Sequence, residues 1–313
     1  MLDLKYKLNM ILDHIEDKNN VVFVDFPLHY NVGDLLILKG ALSFFDENGV
    51  KINNIYSTYN ASIQKIKSKI NKQTTILFHG GGNFGDIYPV HQELREDYVS
   101  EFKDNKIIIL PQTAYFGDCV KLEKSKKIFK QHNNVIMFAR DEKTYELFLE
   151  FSEKTYLVPD MAHNLYGKLN VFTGEKKQKL YFLRKDVEVG FMQEKILSNN
   201  EVMDYFDWDD IILKNDKNFL GIINRIVKIN EKLNCDFLDK FIFIMWNWKI
   251  TKLINKFSLF FSSYDVVVTS RLHGHILTCL VDSESKLLDN SYGKNSSYYK
   301  IWTSELENTE LLK

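Results

Sequence analysis

Ser270-Arg271-Leu272-His273-Gly274 sets a cation, an imidazole and a glycine side by side. The run Val266-Val267-Val268-Thr269 precedes it and the apolar stretch Ile276 to Leu280 follows. That order predicts a buried parallel strand, a tight polar turn and a helix start. Ligands bind at such turns where they lie at the carboxyl edge of an α/β sheet. A helix N-terminus adds free N–H groups and a positive dipole end, so Arg271 and His273 point to a site for a phosphate or carboxylate. His273 and His275 are two apart, which on a helix sends them to nearly opposite sides. They cannot share a metal, and His275 is assigned to helix packing. No H-E-x-x-H or cysteine cluster supplies zinc ligands, so no metal site is expected. Ser270 lacks the G-x-S-x-G elbow of a hydrolase nucleophile.

Three further places could do chemistry. In Asn31-Val32-Gly33-Asp34, Gly33 can bring backbone close to a ligand, while Asn31 or Asp34 can cap the next helix. No G-K-[ST] follows, so this is not a Walker A loop. Gly80-Gly81-Gly82-Asn83 follows a buried strand, where three consecutive glycines are costly in backbone entropy. They make sense where a ligand or another backbone approaches closely, and Gly81, Gly82 and Asn83 are taken as cleft-lining. Asp160 and His163, in Val-Pro-Asp-Met-Ala-His, also follow a strand. Asp160 could orient a sugar hydroxyl, accept its proton, or cap a turn. Arg184 at a later strand end could clamp an anion or form a surface ion pair.

The elements that hold these turns alternate. Strands are expected at 21–26, 51–57, 75–78, 106–110, 135–138 and 155–158. Helices are expected at about 35–46, 61–70, 92–102, 121–131 and 140–150, which is the pattern of a doubly wound parallel sheet. The pattern loosens in the polar stretch 167–179, which sets the expected boundary between an N-terminal domain, 1–168, and a C-terminal domain, 169–313. In the second half strands are expected at 180–183 and 285–288, helices at 219–233 and 249–261, and a terminal helix from about Ser296 that packs back on the N-terminal half. The stretch 188–218 resists assignment. The fold class expected is α/β, with two Rossmann-like domains facing across a cleft.

Composition narrows the function. The chain has 313 residues, 45% of them hydrophobic, and a net charge of −1. It has no global basic field and no interleaving of basic and aromatic residues, so nucleic acid is not an expected partner. Cys119, Cys235 and Cys279 are too scattered for a disulfide framework and suit a reducing cytoplasm. The first 20 residues carry charges throughout, unlike a signal peptide. Their Leu4, Leu8, Ile11, Leu12 and Ile15 fall at helical spacing and predict an amphipathic docking helix. Phe241 to Trp248, FIFIMWNW, is too short to span a bilayer. It reads as a core segment or, with Trp246, Trp248 and the lysines after them, as a surface resting on the cytoplasmic membrane face.

Asn31-Val32-Gly33-Asp34 with Leu35-Leu36-Ile37, then Gly80-Gly81-Gly82-Asn83, then Ser270-Arg271-Leu272-His273-Gly274 resemble the motifs of the polysaccharide pyruvyl transferases. Asp289-Asn290-Ser291-Tyr292-Gly293-Lys294 is similar to that family's C-terminal motif. The matches run in order from about residue 30 to about 300, and S-R-L-H-G is the most specific of them. The resemblance implies an architecture similar to the GT-B glycosyltransferases. It implies phosphoenolpyruvate as co-substrate with no other cofactor, and a glycan or lipid-linked oligosaccharide as acceptor. It assigns donor binding to Arg271, His273 and Arg184, with Ser270, Gly274 and Lys294 around them.

Ketal formation needs a proton at the donor's methylene carbon, attack of a sugar hydroxyl at C2, loss of phosphate and closure by a neighbouring hydroxyl. Histidine titrates near neutrality, so His273 can give the proton or hold the phosphate. Asp160 or Asp34 could be the base. Two other functions share the fold: a nucleotide-sugar-dependent glycosyltransferase, which also needs anion contacts at the second domain's helix starts, and a non-catalytic glycan-binding protein.

Overall fold

The computed structural model describes residues 1–186, 188–198, 204–233, 235–291 and 293–312. Its strands form two parallel sheets. The first holds β1 (Val21–Val24), β2 (Ile52–Tyr56), β3 (Thr75–Phe78), β4 (Gly81–Gly85), β5 (Lys106–Tyr115), β6 (Val135–Ala139) and β7 (Thr155–Leu157). The second holds β8 (Lys177–Phe182), β9 (Tyr264–Thr269), β10 (Glu284–Leu288) and β11 (Thr309–Leu312). The helices of the first half are α1 (Leu2–Lys7), α2 (Val32–Glu47), α3 (Ile63–Lys67), α4 (Pro89–Glu101), α5 (Cys119–Lys130) and α6 (Glu142–Leu149). Those of the second are α7 (Phe191–Ser198), α8 (Trp208–Ile211), α9 (Lys214–Leu233), α10 (Asp236–Ser262), α11 (Leu272–Leu280) and α12 (Lys294–Tyr298).

The first sheet runs β2-β1-β3-β5-β6-β7, so the chain steps from β1 to β2 on one side and then crosses back to β3 on the other. That reversal opens a crevice at the carboxyl ends of β1 and β3, where α/β sheets bind ligands. The second sheet runs β8-β9-β10-β11 without reversal. Strands β1, β3 and β6 are buried along their whole length, as parallel strands covered on both faces must be. One apolar core joins the halves: Leu35 and Leu36 of α2, Trp246, Ile250 and Leu253 of α10, and Ile276 and Leu277 of α11 belong to it.

Several expectations need correction. The glycine run, not expected among the strands, is one: Gly81–Gly85 forms β4 and pairs with the far end of β5. Strand β5 does not stop at Leu110. Pro111 sits at a register shift between Ile109 and Gln112, and the strand continues to Tyr115. Proline lacks an N–H for the ladder and is tolerated at such an irregularity. The expected break before Lys249 is absent, since 236–262 is one helix. The terminal helix lasts only through helical turns to Thr303, and the chain then adds β11 to the second sheet. Those turns do meet the N-terminal half: Trp302 Nε1 donates to the Arg140 carbonyl at 2.8 Å. The N-terminal segment docks as expected, with Leu4, Leu8, Ile11 and Ile15 buried.

Candidate active site

The turn after β9 is built by its own side chains. Thr269 Oγ1 accepts from the Arg271 N–H at 3.0 Å, and α11 starts at Leu272. Ser270 is wholly buried; its Oγ accepts from the Arg184 N–H at 2.9 Å and its carbonyl from Asn295 Nδ2 at 2.8 Å. A Cβ on Gly274 would stand 2.5 Å from Thr269 Oγ1. Ser270 and Gly274, expected to meet the donor, therefore lock strand to helix instead. His275 is buried between Ser285 Oγ and Thr303 Oγ1, at 2.7 and 2.8 Å, and burial drives its pKa down to about 3. It is packing, as read from the sequence.

His273 crosses to the other half. A Cβ on Gly33 would stand 2.5 Å from its Nδ1, so the ring lies against the bare start of α2. Its Nε2 is 3.4 Å from both Asp160 Oδ2 and Arg140 Nη1. Asp160 and Arg140 form an ion pair that is almost completely buried. Burial alone would raise the Asp160 carboxyl, but Arg140 and His273 outweigh it and hold the pKa far below the usual range. Asp160 Oδ1 also caps the turn 161–165 by accepting from the Ala162 N–H at 2.9 Å. Asp160 thus has no face open to an acceptor, and the expectation that it takes a substrate proton gives way to one of orienting Arg140 and His273. His163 is buried against the Tyr298 hydroxyl at 2.7 Å, and burial lowers its pKa to about 4, so it is neutral and structural.

Nothing in the sequence singles out Arg140, yet it sits at the centre of this cluster. Besides Asp160 and His273 it reaches Thr113 Oγ1 with Nε at 2.9 Å. Its Nη2 lies 3.3 Å from where Gly82 would carry a Cβ, and Lys294 Nζ lies 3.0 Å from the same point. Two cations therefore flank a glycine whose missing side chain leaves the backbone open. Burial lowers the Lys294 pKa to about 8, and Arg140 and Arg184 add to that effect. A lysine whose pKa is lowered in this way is a functional-site candidate. Among the described residues Lys294 Nζ has no hydrogen-bond or ion-pair partner. Its loop is shaped by Gly293 at φ +81° and by Asn290 Oδ1, which accepts from the Lys294 N–H at 2.8 Å. Tyr292 of the C-terminal motif lies outside the described residues.

The two expected clamps, Arg184 and Arg271, are already matched by carboxylates. Arg184 Nε donates to Asp186 Oδ1 at 2.9 Å and Nη1 lies 2.6 Å from Glu188 Oε2. Arg271 donates to Asp207 Oδ1 at 2.9 Å and to Asp186 Oδ2 at 2.7 Å, so Asp186 bridges the pair. Any anion bound there must compete with these carboxylates, whereas among the described residues Lys294 Nζ has no ion-pair partner.

The remaining cleft residues divide. Asn31 caps α2, its Oδ1 accepting from the Gly33 N–H at 3.1 Å. Asp34 is partly exposed, 3.7 Å from His29 Nε2, with its Oδ1 3.5 Å from the Cβ position of Gly81. The Asn83 carbonyl and Oδ1 are occupied by Arg95, and Gln112 Nε2 also donates to Oδ1 at 3.1 Å. Arg95 in turn holds Asp25, whose other oxygen is 2.6 Å from His91 Nδ1. Asp25 is buried and left-handed, at φ 71°, at the carboxyl end of β1. That conformation is strained for a residue with a side chain and clusters at functional places. Tyr88 marks where the halves meet: burial raises its pKa, and Glu188, Asp34 and Asp186 add to it. Among the described residues no three His, Cys, Asp or Glu side chains form a metal-holding group.

Comparison with known proteins bears on this site. The family model described as polysaccharide pyruvyl transferase matches residues 31–281, a span that takes in Asn31, Gly81 and His273. "Putative pyruvyl transferase EpsO" of Bacillus subtilis (strain 168) is 33% identical over 315 residues, covering 100% of this chain and 94% of its own length. Pyruvyl transferase 1 of Schizosaccharomyces pombe is 26% identical, over 90% of this chain and 69% of its own. A crystal structure of an uncharacterised protein, KP1_0663 of Klebsiella pneumoniae, shares the fold over 100% of both chains with a TM-score of 0.62 at 19% identity.

Proposed function

This chain belongs to the polysaccharide pyruvyl transferase family and is a pyruvyl transferase acting on a glycan, and from that premise we propose that it takes the pyruvyl group from phosphoenolpyruvate and forms a pyruvate ketal. The observation that carries the donor assignment is that Lys294 and Arg140 both approach the bare α-carbon of Gly82, beside His273. Phosphoenolpyruvate is a small anion with a phosphate and a carboxylate, and it suits two cations and an open backbone. In this reading Lys294 and Arg140 meet the phosphate. Arg184 and Arg271, tied through Asp186, close the far side and can exchange a carboxylate partner for the donor's own.

The reaction then follows from charge. His273 Nε2 gives a proton to the donor's methylene carbon, which becomes a methyl group, and C2 becomes oxocarbenium-like. A sugar hydroxyl attacks C2 and its proton passes to a base. Asp34, the partly exposed carboxylate at the start of α2, fits that role. The C2–O bond to phosphate breaks, a neighbouring hydroxyl closes the ketal and returns its proton to His273, and inorganic phosphate leaves with the proton taken up by the base, its charge held by Lys294 and Arg140. Asp160 positions His273 and does not itself change protonation.

We read residues 1–168 and 169–313 as two Rossmann-like domains of GT-B-like arrangement, with the acceptor entering from the Asn31 and Asp34 side. The acceptor proposed is a surface polysaccharide or its lipid-linked precursor, handled in the cytoplasm. Incubation with phosphoenolpyruvate and a panel of galactose-, mannosamine- and glucosamine-bearing glycans tests the reading. Phosphate release with an acid-labile pyruvate acetal on the glycan supports it. Turnover of a nucleotide sugar without use of phosphoenolpyruvate overturns it.

A further inference from the structure

Helices α9 and α10 form a hairpin whose outer surface is apolar and basic at once. On α10, Phe237, Phe241, Ile244 and Trp248 are exposed at 73, 40, 64 and 49%. Their spacing sets them in one stripe of the helix, opposite the buried Ile242, Trp246, Ile250 and Leu253. On α9, Ile222, Ile229 and Leu233 are exposed at 53, 54 and 63% and fall in one stripe with Ile226. The stripes join where the Phe219 and Trp248 rings lie 6.0 Å apart. Lysines edge them: Lys240 flanks the α10 stripe, and Lys252 Nζ sits 3.9 Å from the Trp248 ring centre. From Lys214 to Lys256 the sequence has nine basic and four acidic residues, in a chain of net charge −1. Three of those acids are engaged in ion pairs: Asp216 with Lys249, Asp236 with Lys69 and Asp239 with Lys65.

We propose that this outer face of the α9–α10 hairpin seats on an anionic phospholipid bilayer. Apolar stripes of this kind bury in the headgroup region, while lysines reach the phosphates and tryptophan sits at the interface. The surplus positive charge selects the occupant. It is complementary to an anionic lipid surface and repels a second copy of the same face. No described helix is long and apolar enough to cross a membrane, so the contact is peripheral. The membrane surface expected from the sequence centred on Trp246 and Trp248; Trp246 is wholly buried, its Nε1 donating to the Pro27 carbonyl at 2.8 Å, and the contact falls to Trp248 and the two stripes.

The hairpin is braced on the loop that leads into α2. Trp246 holds Pro27, and the Tyr30 hydroxyl donates to the Asp216 carbonyl. A seated hairpin would thus keep the Asn31 side of the cleft near the lipid surface, which suits a lipid-linked acceptor. That consequence rests on the proposed function, whereas vesicle binding does not.

Co-sedimentation of the full chain with phosphatidylglycerol–phosphatidylcholine vesicles tests the proposal, with pure phosphatidylcholine as the neutral comparison. The expected result is binding to the anionic vesicles that weakens in high salt, with weak or no binding to the neutral ones. Ile229→Glu/Ile244→Glu should lower that affinity by about 100-fold and Lys240→Glu/Lys252→Glu by about 10-fold. Both pairs are exposed, so circular dichroism and Tm should match the parent. Parent protein left in the supernatant would overturn the proposal, as would equal binding by folded Ile229→Glu/Ile244→Glu. A dimer that the same pair of substitutions dissolves would also overturn it, by assigning the face to a second copy.

Discussion

The imidazole of His273 lies against the bare α-carbon of Gly33, so that a methyl group at Gly33 would stand 2.5 Å from Nδ1. Two turns 240 residues apart in sequence, after β1 and after β9, are thereby interlocked. Gly33→Ala should push the ring away from Asp160 and Arg140. A shift of about 1 Å in a catalytic group can cost about 100-fold in rate. Turnover should fall by about that factor while the Kd for phosphoenolpyruvate changes by less than about 10-fold. An alanine variant with unchanged turnover would show that the ring's seat is unimportant.

The buried Arg140–Asp160 pair makes a stability prediction. Removing one partner of such a pair costs about 3–5 kcal/mol, because the other charge is left uncompensated. Arg140→Gln should therefore lower unfolding free energy by that order, more than the same change at an exposed arginine. The folded Asp160 carboxyl lies below its ordinary value, so its contribution is fully present above about pH 4 and is lost as pH falls further. Urea unfolding across the acid range should show that loss in the parent protein, and a flatter profile in Asp160→Asn.

Lys294 titrates near 8 and, in the unfolded chain, near its ordinary 10.5. The unfolded state then binds more protons between those values, so this group makes stability rise as pH goes from about 8 to about 10.5. Catalysis should run the other way. As Lys294 loses its charge above about pH 8, kcat/KM for phosphoenolpyruvate should decline. Lys294→Met should raise KM strongly and remove that alkaline limb, measured by steady-state kinetics over the pH range.

Arg271 is tied to Asp186 and Asp207, and Asp207 is buried. Arg271→Met leaves Asp207 without its cation and should cost about 3–5 kcal/mol. If that loss comes from the stranded carboxylate, Arg271→Met/Asp207→Asn should recover most of it. A double-mutant cycle on unfolding free energy checks this, and strict additivity would show that the pair does not act as a unit.

The turns after β1 and after β9 are visible in sequence because glycine, asparagine, arginine and histidine are out of place between a buried strand and a helix. Their roles inside the turns are less visible. Ser270 and Gly274 look like ligand contacts, yet one satisfies backbone groups and the other lets β9 and α11 approach. Arg140 looks like any polar residue after a strand, since its partners Asp160, His273 and Gly82 are distant in sequence and nothing local marks them. Strand β4 is hidden because glycine has poor strand propensity, and its pairing with β5 is what holds it extended. In β11 the run Thr309 to Leu312 is too short and too plain to declare a strand without β10 beside it. What was legible was therefore local chemistry, and what was not was chemistry completed across the chain.

The central claim is ketal formation from phosphoenolpyruvate by protonation at the methylene carbon. The most direct measurement is the nuclear magnetic resonance spectrum of product made in deuterated water from phosphoenolpyruvate and the glycan acceptor. The expected product is a pyruvate ketal whose methyl group carries one deuterium, with one inorganic phosphate released per ketal, and with the signal abolished in His273→Ala. A product that keeps an intact vinyl methylene, or glycan modified while phosphoenolpyruvate is left unconsumed, would contradict it.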